Sequence, residues 1–198
     1  MGICFGKKNV VKAAPYEIDY KVEQLHLPAP KFSLKNQTCL GECVSVYDGD
    51  TARFNILTSI GVHQWAVRIS HYDSPEIKGV DLEEKVHARA CRDLMKDLIL
   101  GKVCVIQCGD FEKYGRLLGE IYVPYDATSN PISTYSATSS DLEHVKSLLD
   151  IQHYMMTRTP SQSYEGGKKQ DFVYKNFHSS DPRYNTYCEK YTKDIMKK

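Results

Sequence analysis

Hydrophobic and polar positions alternate along several short stretches of this chain, with the period expected for half-buried strands. Two such stretches, 43–47 and 53–57, flank the turn-forming sequence Asp-Gly-Asp-Thr at 48–51. Aspartate and glycine are common in tight turns because they adopt backbone conformations that other residues disfavour. The sequence therefore predicts a β-hairpin with carboxylates at its tip.

A third alternating stretch covers residues 64–72 and predicts another half-buried strand. Its apolar side chains share the face that bears Trp65, so Arg68 is expected on the opposite face. Pro75 follows soon afterwards, and proline removes a backbone donor and disfavours continued regular structure. Glu76 is therefore expected to open a loop.

Apolar residues recur at helical spacing from position 81 to about position 100. This wide amphipathic stripe predicts a helix packed on the core, and Gly101 is its expected C-terminal stop. The stripe consists of Leu82, Val86, Ala90, Leu94 and Leu98, with a second row at Cys91, Met95 and Ile99.

The second half of the chain predicts two strands, near 103–108 and 117–123, followed by a polar loop at 126–140. Helical spacing then predicts a helix at 141–157, and the segment 181–196 fits a further helix. The predicted order is three strands, a helix, two strands and two helices. This order predicts an α+β fold: a five-stranded OB-fold-like β-barrel with capping helices.

The 198 residues allow one well-buried domain with extensions. Residues 1–37 mix prolines and charges without sustained periodicity, which predicts an N-terminal tail or linker. A folded domain is expected at 38–175, followed by a helical C-terminal extension at 176–198.

The formal net charge is +1, so no global basic field attracts nucleic acid, and any phosphate recognition must be local. The 7 cysteines include no C-x-x-C pair, which favours reduced, buried thiols over a zinc site. The N-terminal residues show no positively charged region followed by an apolar region, so a secretory signal is not expected. These features predict an intracellular, cytoplasmic protein that is not secreted.

The N-terminal sequence Met-Gly-Ile-Cys-Phe-Gly-Lys-Lys fits two interpretations. In the first, Gly2 is myristoylated and Cys4 is palmitoylated, which attaches the protein to a membrane surface with help from nearby lysines. In the second, the segment is a plain tail. Gly6 stands where acylated proteins prefer serine or threonine, which weighs against the lipid anchor.

Charged residues collect at one predicted end of the sheet. Asp50 lies in the hairpin turn, Asp73 ends the third strand, and Glu76 follows it. Carboxylate oxygens suit hard cations such as calcium, although magnesium or manganese would also fit. Arg68 lies on the strand that leads to Asp73, and Arg116 comes from a separate turn. Two guanidinium groups beside a cation can bind a phosphate and offset the charge of its transition state, so this set predicts phosphodiester hydrolysis.

The chain resembles the staphylococcal nuclease (thermonuclease) family in three ordered motifs, which span roughly residues 40–123. A weaker fourth match, Tyr-Glu-Gly-Gly-Lys at 164–168, resembles the Y-x-G-G-K segment of many members. The motifs are Asp-Gly-Asp-Thr at 48–51, Val-Arg-Ile at 67–69 leading to Asp-Ser-Pro-Glu at 73–76, and Lys-Tyr-Gly-Arg-Leu-Leu-Gly at 113–119.

This resemblance implies that Asp50 and Asp73 ligate calcium with the backbone carbonyl of Ser74. It also implies that Arg68 and Arg116 hold the scissile phosphate. Domain 38–175 would then be a nuclease-like domain that cleaves DNA or RNA with little sequence specificity.

The resemblance further implies that Glu76 is the general base that activates a water, and that cleavage leaves 3′-phosphate ends. Ser74 replaces the threonine of the staphylococcal enzyme, which matters little if the backbone oxygen is the ligand. Of the family's base-stacking tyrosines only Tyr164 is carried over, because the G-x-A element that usually precedes it is missing.

A different class of function stays open at this point. Barrels of this kind are also used to bind nucleic acid or protein without cleaving it. The C-terminal tyrosines and their neighbouring lysines likewise fit either contact with single-stranded nucleic acid or a helix packed on the barrel. The tyrosines concerned are Tyr174, Tyr184, Tyr187 and Tyr191.

Overall fold

The computed structural model describes residues 28, 31–125, 147–166, 172, 174 and 177–197. The chain divides into two units, Met1–Phe32 and Ser33–Lys198, and the fold below is that of the second unit. The predicted lipidation sites Gly2 and Cys4 lie outside the described residues. The lipid anchor therefore stays a prediction.

The second unit contains a five-stranded barrel and, among the described residues, three helices. Its elements are β1 Thr38–Val46, β2 Thr51–Thr58, β3 Gly61–Ile69, β4 Tyr72–Asp73, α1 Leu82–Ile99, β5 Val103–Phe111, β6 Leu117–Tyr125, β7 Ser147–Asp150, α2 Ile151–Arg158, β8 Gln162–Ser163 and α3 Pro182–Met196.

The main sheet has the order β3-β2-β1-β5-β6-β7, and β3 also pairs with β6, which closes the first five of these strands into the barrel. The closing pair is parallel, with Val67 opposite Leu117 and Ile69 opposite Gly119, whereas the other pairs in the barrel are antiparallel. The predicted α+β, OB-fold-like barrel is confirmed. Closure also joins the end of β3 to the start of β6, which carry two of the predicted site regions.

The inward face of β3 is the predicted one. Val67 and Ile69 are fully buried, and Trp65 packs against the core with its ring 5.3 Å from that of Phe111. Arg68 lies on the other face, as the alternation predicts. The strand therefore supplies both a core surface and one charged site residue.

Helix α1 covers the barrel with the predicted stripe, from Val86 to Ile99. Asp81 caps its start, because its side chain accepts a hydrogen bond from the Glu83 N–H. Gly101 follows the last turn with φ of 72°, the left-handed conformation that glycine adopts without strain. The prediction is wrong only at Leu82, which is largely exposed in the first turn.

The predicted helix at 141–157 is confirmed from Ile151 onward but is wrong at 147–150. Residues 147–150 form strand β7, which pairs with β6 through Val123 and Leu149, and helix α2 begins only at Ile151. Asp150 sets that boundary because its side chain accepts from the His153 N–H at 3.0 Å. Short apolar runs fit strand or helix equally well, and here the free edge of β6 decides for a strand.

Two features lie beyond the barrel. Strands β4 and β8 form a small separate sheet that the sequence did not predict, with Asp73 opposite Gln162. Helix α3 confirms the predicted helix at 181–196 and packs against α1. No helix among the described residues is long and apolar enough to cross a membrane.

The cysteines also behave as predicted within the described part of the chain. They are all free thiols, and five of the six are buried. Burial raises the pKa of the Cys43 and Cys91 thiols to about 12, so neither is a reactive thiolate near neutral pH.

Candidate active site

A cavity of about 240 Å³ opens where the β1–β2 hairpin, the end of β3 and the β5–β6 turn meet. Six of the residues that the sequence singled out line it together. They are Asp50, Arg68, Asp73, Ser74, Glu76 and Arg116, and they share the cavity wall with Tyr47, Asp48, Pro75, Ile77 and Lys78.

The β1–β2 turn is built around the side chain of Asp48. Its Oδ1 accepts hydrogen bonds from the backbone N–H groups of Asp50 at 3.1 Å and Thr51 at 2.8 Å. The Thr51 hydroxyl in turn donates to Asp50 Oδ1 at 2.6 Å. These bonds fix the Asp50 carboxylate, which is only 4% exposed.

Gly49 allows this turn to approach its neighbours very closely. A Cβ atom at this position would lie 2.8 Å from the Ser74 Cβ and 2.9 Å from the Cys91 Cβ of α1. Any larger residue would have to push the turn away from Ser74. Glycine at 49 therefore helps to hold Asp50 beside the Asp73–Ser74 segment.

Arg68 joins the two buried carboxylates. Its Nη1 lies 3.1 Å from Asp50 Oδ2, and its Nη2 lies 3.0 Å from Asp73 Oδ1. Burial lowers the pKa of Arg68, but the charges of the two aspartates outweigh burial, so the pKa lies above its ordinary value. Arg68 is charged at any ordinary pH and balances part of the negative charge here.

Asp73 is held in place by the small β4–β8 sheet. Its neighbour Tyr72 is fully buried, and the Tyr72 hydroxyl forms a 2.8 Å hydrogen bond with the Ser161 hydroxyl. The backbone N–H of Tyr164 donates to the carbonyl of His71 at 3.2 Å. The segment after α2 thus wraps against the strand end that bears Asp73.

Arg116 comes from the turn between β5 and β6. Its Nε donates to Glu112 Oε1, and its Nη1 donates to the Thr51 hydroxyl at 3.2 Å. The backbone of the same turn closes through a hydrogen bond from the Glu112 N–H to the Arg116 carbonyl at 2.9 Å. Arg116 therefore meets the hairpin that carries Asp50, although the two are distant in sequence.

Glu76 is the most exposed of the predicted acidic groups in the cavity. Its backbone N–H donates to Glu84 Oε1 at 3.0 Å, which connects the loop to the first turn of α1. Water can reach the Glu76 carboxylate, as a general base would require.

Tyr164 does not line the cavity, but it lies close behind it. Its ring centroid is 5.8 Å from the Arg68 guanidinium carbon, within the range of a cation–π contact. The rest of the weak fourth motif, from Gly167 onward, lies outside the described residues. A base-stacking role for Tyr164 stays a prediction.

Negative charge accumulates on the hairpin side of the cavity. Burial and the charge of Asp50 raise the pKa of Asp48 to about 7. A bound cation would offset this repulsion, and the lining residues offer oxygen donors but no His or Cys. This donor set fits a hard divalent cation.

The side chains alone would leave such a cation incompletely coordinated. Within the described part of the chain, no group of three or more His, Cys, Asp or Glu residues is arranged to hold a metal ion. Backbone carbonyls, water or substrate oxygens would have to complete the coordination of a cation held by Asp50 and Asp73.

Sequence reasoning missed several residues of this site. Tyr47 and Lys78 line the cavity, and each lies within three positions of a predicted residue. Glu112 pairs with Arg116 four positions away, so its closeness in sequence was an available clue. Glu84 had no comparable clue, because its contact with Glu76 depends on how α1 docks on the barrel.

Comparisons with known proteins agree with this picture only in part. No protein-family model matches the chain. Two curated proteins, from Escherichia coli and from Escherichia coli O157:H7, are each named an uncharacterized endonuclease and are 32% identical to it over 84 residues. The match covers 42% of this chain and 48% of each relative. The chain thus spans about half the length of the curated relatives it matches.

Proposed function

We propose that this chain is a metal-dependent nuclease that hydrolyses DNA or RNA with little sequence specificity. The observation that carries the proposal is a single cavity lined by two buried carboxylates, two guanidinium groups and one exposed carboxylate. The printed name of the Escherichia coli relatives favours a nucleic acid over other phosphodiesters as substrate.

Asp50 and Asp73 would hold the cation, together with the backbone carbonyl of Ser74. Calcium is the proposed ion, with magnesium and manganese as alternatives that the same oxygen donors accept. When bound, the cation supplies positive charge that polarises the scissile phosphate. Both carboxylates contact the same guanidinium group, at 3.1 Å for Asp50 and 3.0 Å for Asp73, which supports a shared cation site.

Arg68 and Arg116 bind the phosphate. In the described structure the contacts of Arg116 use Nε and Nη1, so its Nη2 is available to a phosphate oxygen. Arg68 is fixed by both aspartates. Charged hydrogen bonds that are already in place stabilise the extra negative charge of the transition state without reorganisation.

Glu76 takes the proton from the attacking water. The water oxygen then forms a bond to phosphorus, and the bond from phosphorus to the 5′ oxygen breaks. The products are a 3′-phosphate and a 5′-hydroxyl whose proton comes from solvent. None of these contacts reads a base edge, which is why we expect broad cleavage.

The proposal is tested by incubating end-labelled single-stranded DNA and RNA with the full chain in calcium, magnesium, manganese or EDTA. We expect cutting that needs a divalent ion, gives 3′-phosphate ends, and falls by at least about 10²-fold in Glu76→Gln, since general bases contribute about 10²–10⁴-fold. Glu83→Gln, in the exposed first turn of α1, is the matched control and should cut normally.

Binding of the same oligonucleotides is measured in parallel by fluorescence anisotropy. Tight binding without cutting in any of the metals would overturn the proposal and favour the alternative, a catalytically silent binding module of the same fold. Full activity in EDTA would overturn the metal requirement while leaving the nuclease assignment standing.

A further inference from the structure

The loop between β4 and α1 carries Glu76 and is bonded to the helix through the side chain of Glu84. Glu84 Oε1 accepts the backbone N–H of Glu76 at 3.0 Å. This hydrogen bond acts on the main chain of Glu76 rather than on its carboxylate. It therefore fixes where the main chain of the residue stands relative to the barrel.

The second oxygen of Glu84 lies beside Gly79 of this loop. The Gly79 N–H donates to the Glu76 carbonyl at 3.2 Å, which folds the loop into a turn. A Cβ atom on Gly79 would lie 2.4 Å from Glu84 Oε2. The absence of a side chain at 79 is thus what lets the Glu84 carboxylate fit inside the turn.

Helix capping does not account for the position of Glu84. A glutamate three residues after the N-cap Asp81 usually bonds back to the N-cap N–H, forming a capping box. Here the Asp81 side chain accepts from the Glu83 N–H at 3.0 Å. The Glu84 side chain instead accepts from the Glu76 N–H of the preceding loop. The chain directs this carboxylate to the loop instead of the helix end.

Several residues of this loop are exposed to solvent. Glu76, Lys78 and Val80 are all exposed, and Val80 is 96% exposed. Exposed loops with few buried apolar contacts open locally at low free energy. A displacement of about 1 Å in a reacting group can cost about 10²-fold in rate.

We propose that Glu84 is a positioning residue for cleavage: together with Gly79, it holds the main chain of Glu76 so that the Glu76 carboxylate meets the attacking water. This inference rests on the proposed nuclease function and deepens it. Glu84 touches neither substrate nor metal in this proposal, so it acts only through Glu76.

The test compares Glu84→Ala, Glu84→Asp and Glu84→Gln in the metal-dependent cleavage assay. Alanine removes the acceptor, and aspartate keeps the charge at the helix start but is too short to reach the Glu76 N–H. We expect kcat to fall about 10- to 100-fold in both, with KM changed less than about 3-fold. Glutamine keeps an acceptor oxygen at the same distance and should retain kcat within about 3-fold.

Two further variants separate positioning from a general loss of structure. Gly79→Ala leaves Glu84 in the chain but displaces its carboxylate, so it should lower kcat in the same way as Glu84→Ala. Glu83→Ala removes the neighbouring glutamate of the same helical turn and should leave kcat within about 2-fold. Thermal unfolding of each variant shows whether the fold is intact.

A double-mutant cycle decides whether Glu84 acts through Glu76. In the Glu76→Gln background, Glu84→Ala should cause less than about a 2-fold further loss, because residues that act as a unit are not additive. An equal loss in both backgrounds would overturn the inference. So would normal kcat in a folded Glu84→Ala or Gly79→Ala variant while Glu76→Gln is inactive. A wild-type chain that never cleaves would overturn the proposed function itself.

Discussion

The cavity and the interface between α1 and α3 both bury polar side chains, but they do so differently. In the cavity the buried groups form ion pairs: Asp50 and Asp73 are each 4% exposed and share Arg68 between them. In the interface the deepest polar pair is uncharged. It consists of the Tyr184 hydroxyl and His87 Nδ1, which a 2.7 Å hydrogen bond joins. The charged side chains of this interface lie nearer its solvent-exposed edge.

This difference separates a candidate reaction site from a structural contact. Buried ion pairs contribute little to stability, because the cost of removing charges from water offsets their attraction. A protein that keeps three such groups around an open cavity gains a binding surface rather than stability. A tyrosine hydroxyl costs far less to bury when it is hydrogen-bonded, so it suits helix packing.

The comparison also decides between two interpretations of the C-terminal tyrosines. Tyr184 is 1% exposed, and the Tyr191 hydroxyl donates to Asp93 of α1. The Tyr187 hydroxyl donates to Asp97 at 2.7 Å. These three side chains are used for packing and hydrogen bonding on α1, so they are not exposed stacking platforms for nucleic acid.

The largest expected effect follows from removing the second guanidinium of the cavity. Arg116→Ala should lower kcat about 10²- to 10³-fold, because one preorganised donor to a transition-state charge contributes that much. The free energy of unfolding should change by less than about 1 kcal/mol, since the Arg116–Glu112 pair is partly exposed. Steady-state kinetics and urea unfolding measure the two quantities.

Lys113→Ala is the control for that variant, because Lys113 is an exposed cation of the same turn. Its activity should stay within about 3-fold of the unaltered chain if position in the cavity matters more than net charge. Equal losses in both variants would mean that the turn acts through general electrostatic attraction. The cation in the cavity, Arg116, would then contribute no more to cleavage than the surface cation Lys113.

A smaller effect is expected from Gly49→Ala. The new Cβ would collide with Ser74 and Cys91, so we expect a loss of about 1–3 kcal/mol in unfolding free energy, typical of overpacking. Cleavage should fall as well, because the hairpin carries Asp50. Ser59→Ala, in the turn between β2 and β3, is the control for this variant. A Gly49→Ala chain of normal stability would show that the turn moves easily.

A still smaller change is expected from Tyr184→Phe, which removes the hydroxyl that bonds His87. We expect a loss of about 1 kcal/mol in unfolding free energy and unchanged cleavage. Tyr187→Phe should cost less, because water can replace its bond to the exposed Asp97. Loss of cleavage in a stable Tyr184→Phe chain would contradict the structural role of this interface.

The smallest expected effect is a pH dependence that originates in the same interface. Burial lowers the pKa of His87, although the charge of Asp81 acts in the opposite direction. The unfolded chain, with an ordinary pKa of about 6.5, therefore takes up a proton that the folded chain resists. Stability should be complete above that pKa and fall as the pH drops through it toward the lowered folded value.

Urea unfolding at pH 7.5 and pH 5.5 measures this effect. The unaltered chain should lose more stability between the two pH values than His87→Gln does, because glutamine does not titrate. The same pH dependence in both chains would mean that other groups are responsible. Solution conditions and ionic strength have to be matched, since surface charges also respond to salt.

Much of the fold could be predicted because the relevant interactions are local. Turn chemistry at 48–51 and alternation in the neighbouring segments were enough to predict the β1–β2 hairpin. The apolar stripe of α1 and the end of this helix at Gly101 could be predicted in the same way. The helix predicted at 141–157 was wrong at 147–150 because Leu148 and Leu149 fit either structure, and there they pair with the edge of β6 as a strand.

The candidate site could be predicted only as a set of residue types. Asp50, Arg68, Asp73, Glu76 and Arg116 were named from their motifs, and the structure brings all of them to one cavity. Their supporting contacts were not predicted. Glu112 beside Arg116, Glu84 beneath Glu76 and Ser161 against Tyr72 all depend on elements that meet only after folding.

The sequence by itself determined the strands of the barrel and the helices α1 and α3, and which charged side chains stand at their ends, since periodicity and turn propensity act over a few residues. Only the tertiary structure decided that Asp50, Asp73 and Arg116 face the same space. Parallel pairing of β3 with β6 and the close approach of Gly49 to Ser74 create that space. Contacts between such distant positions depend on barrel closure, which no local pattern encodes.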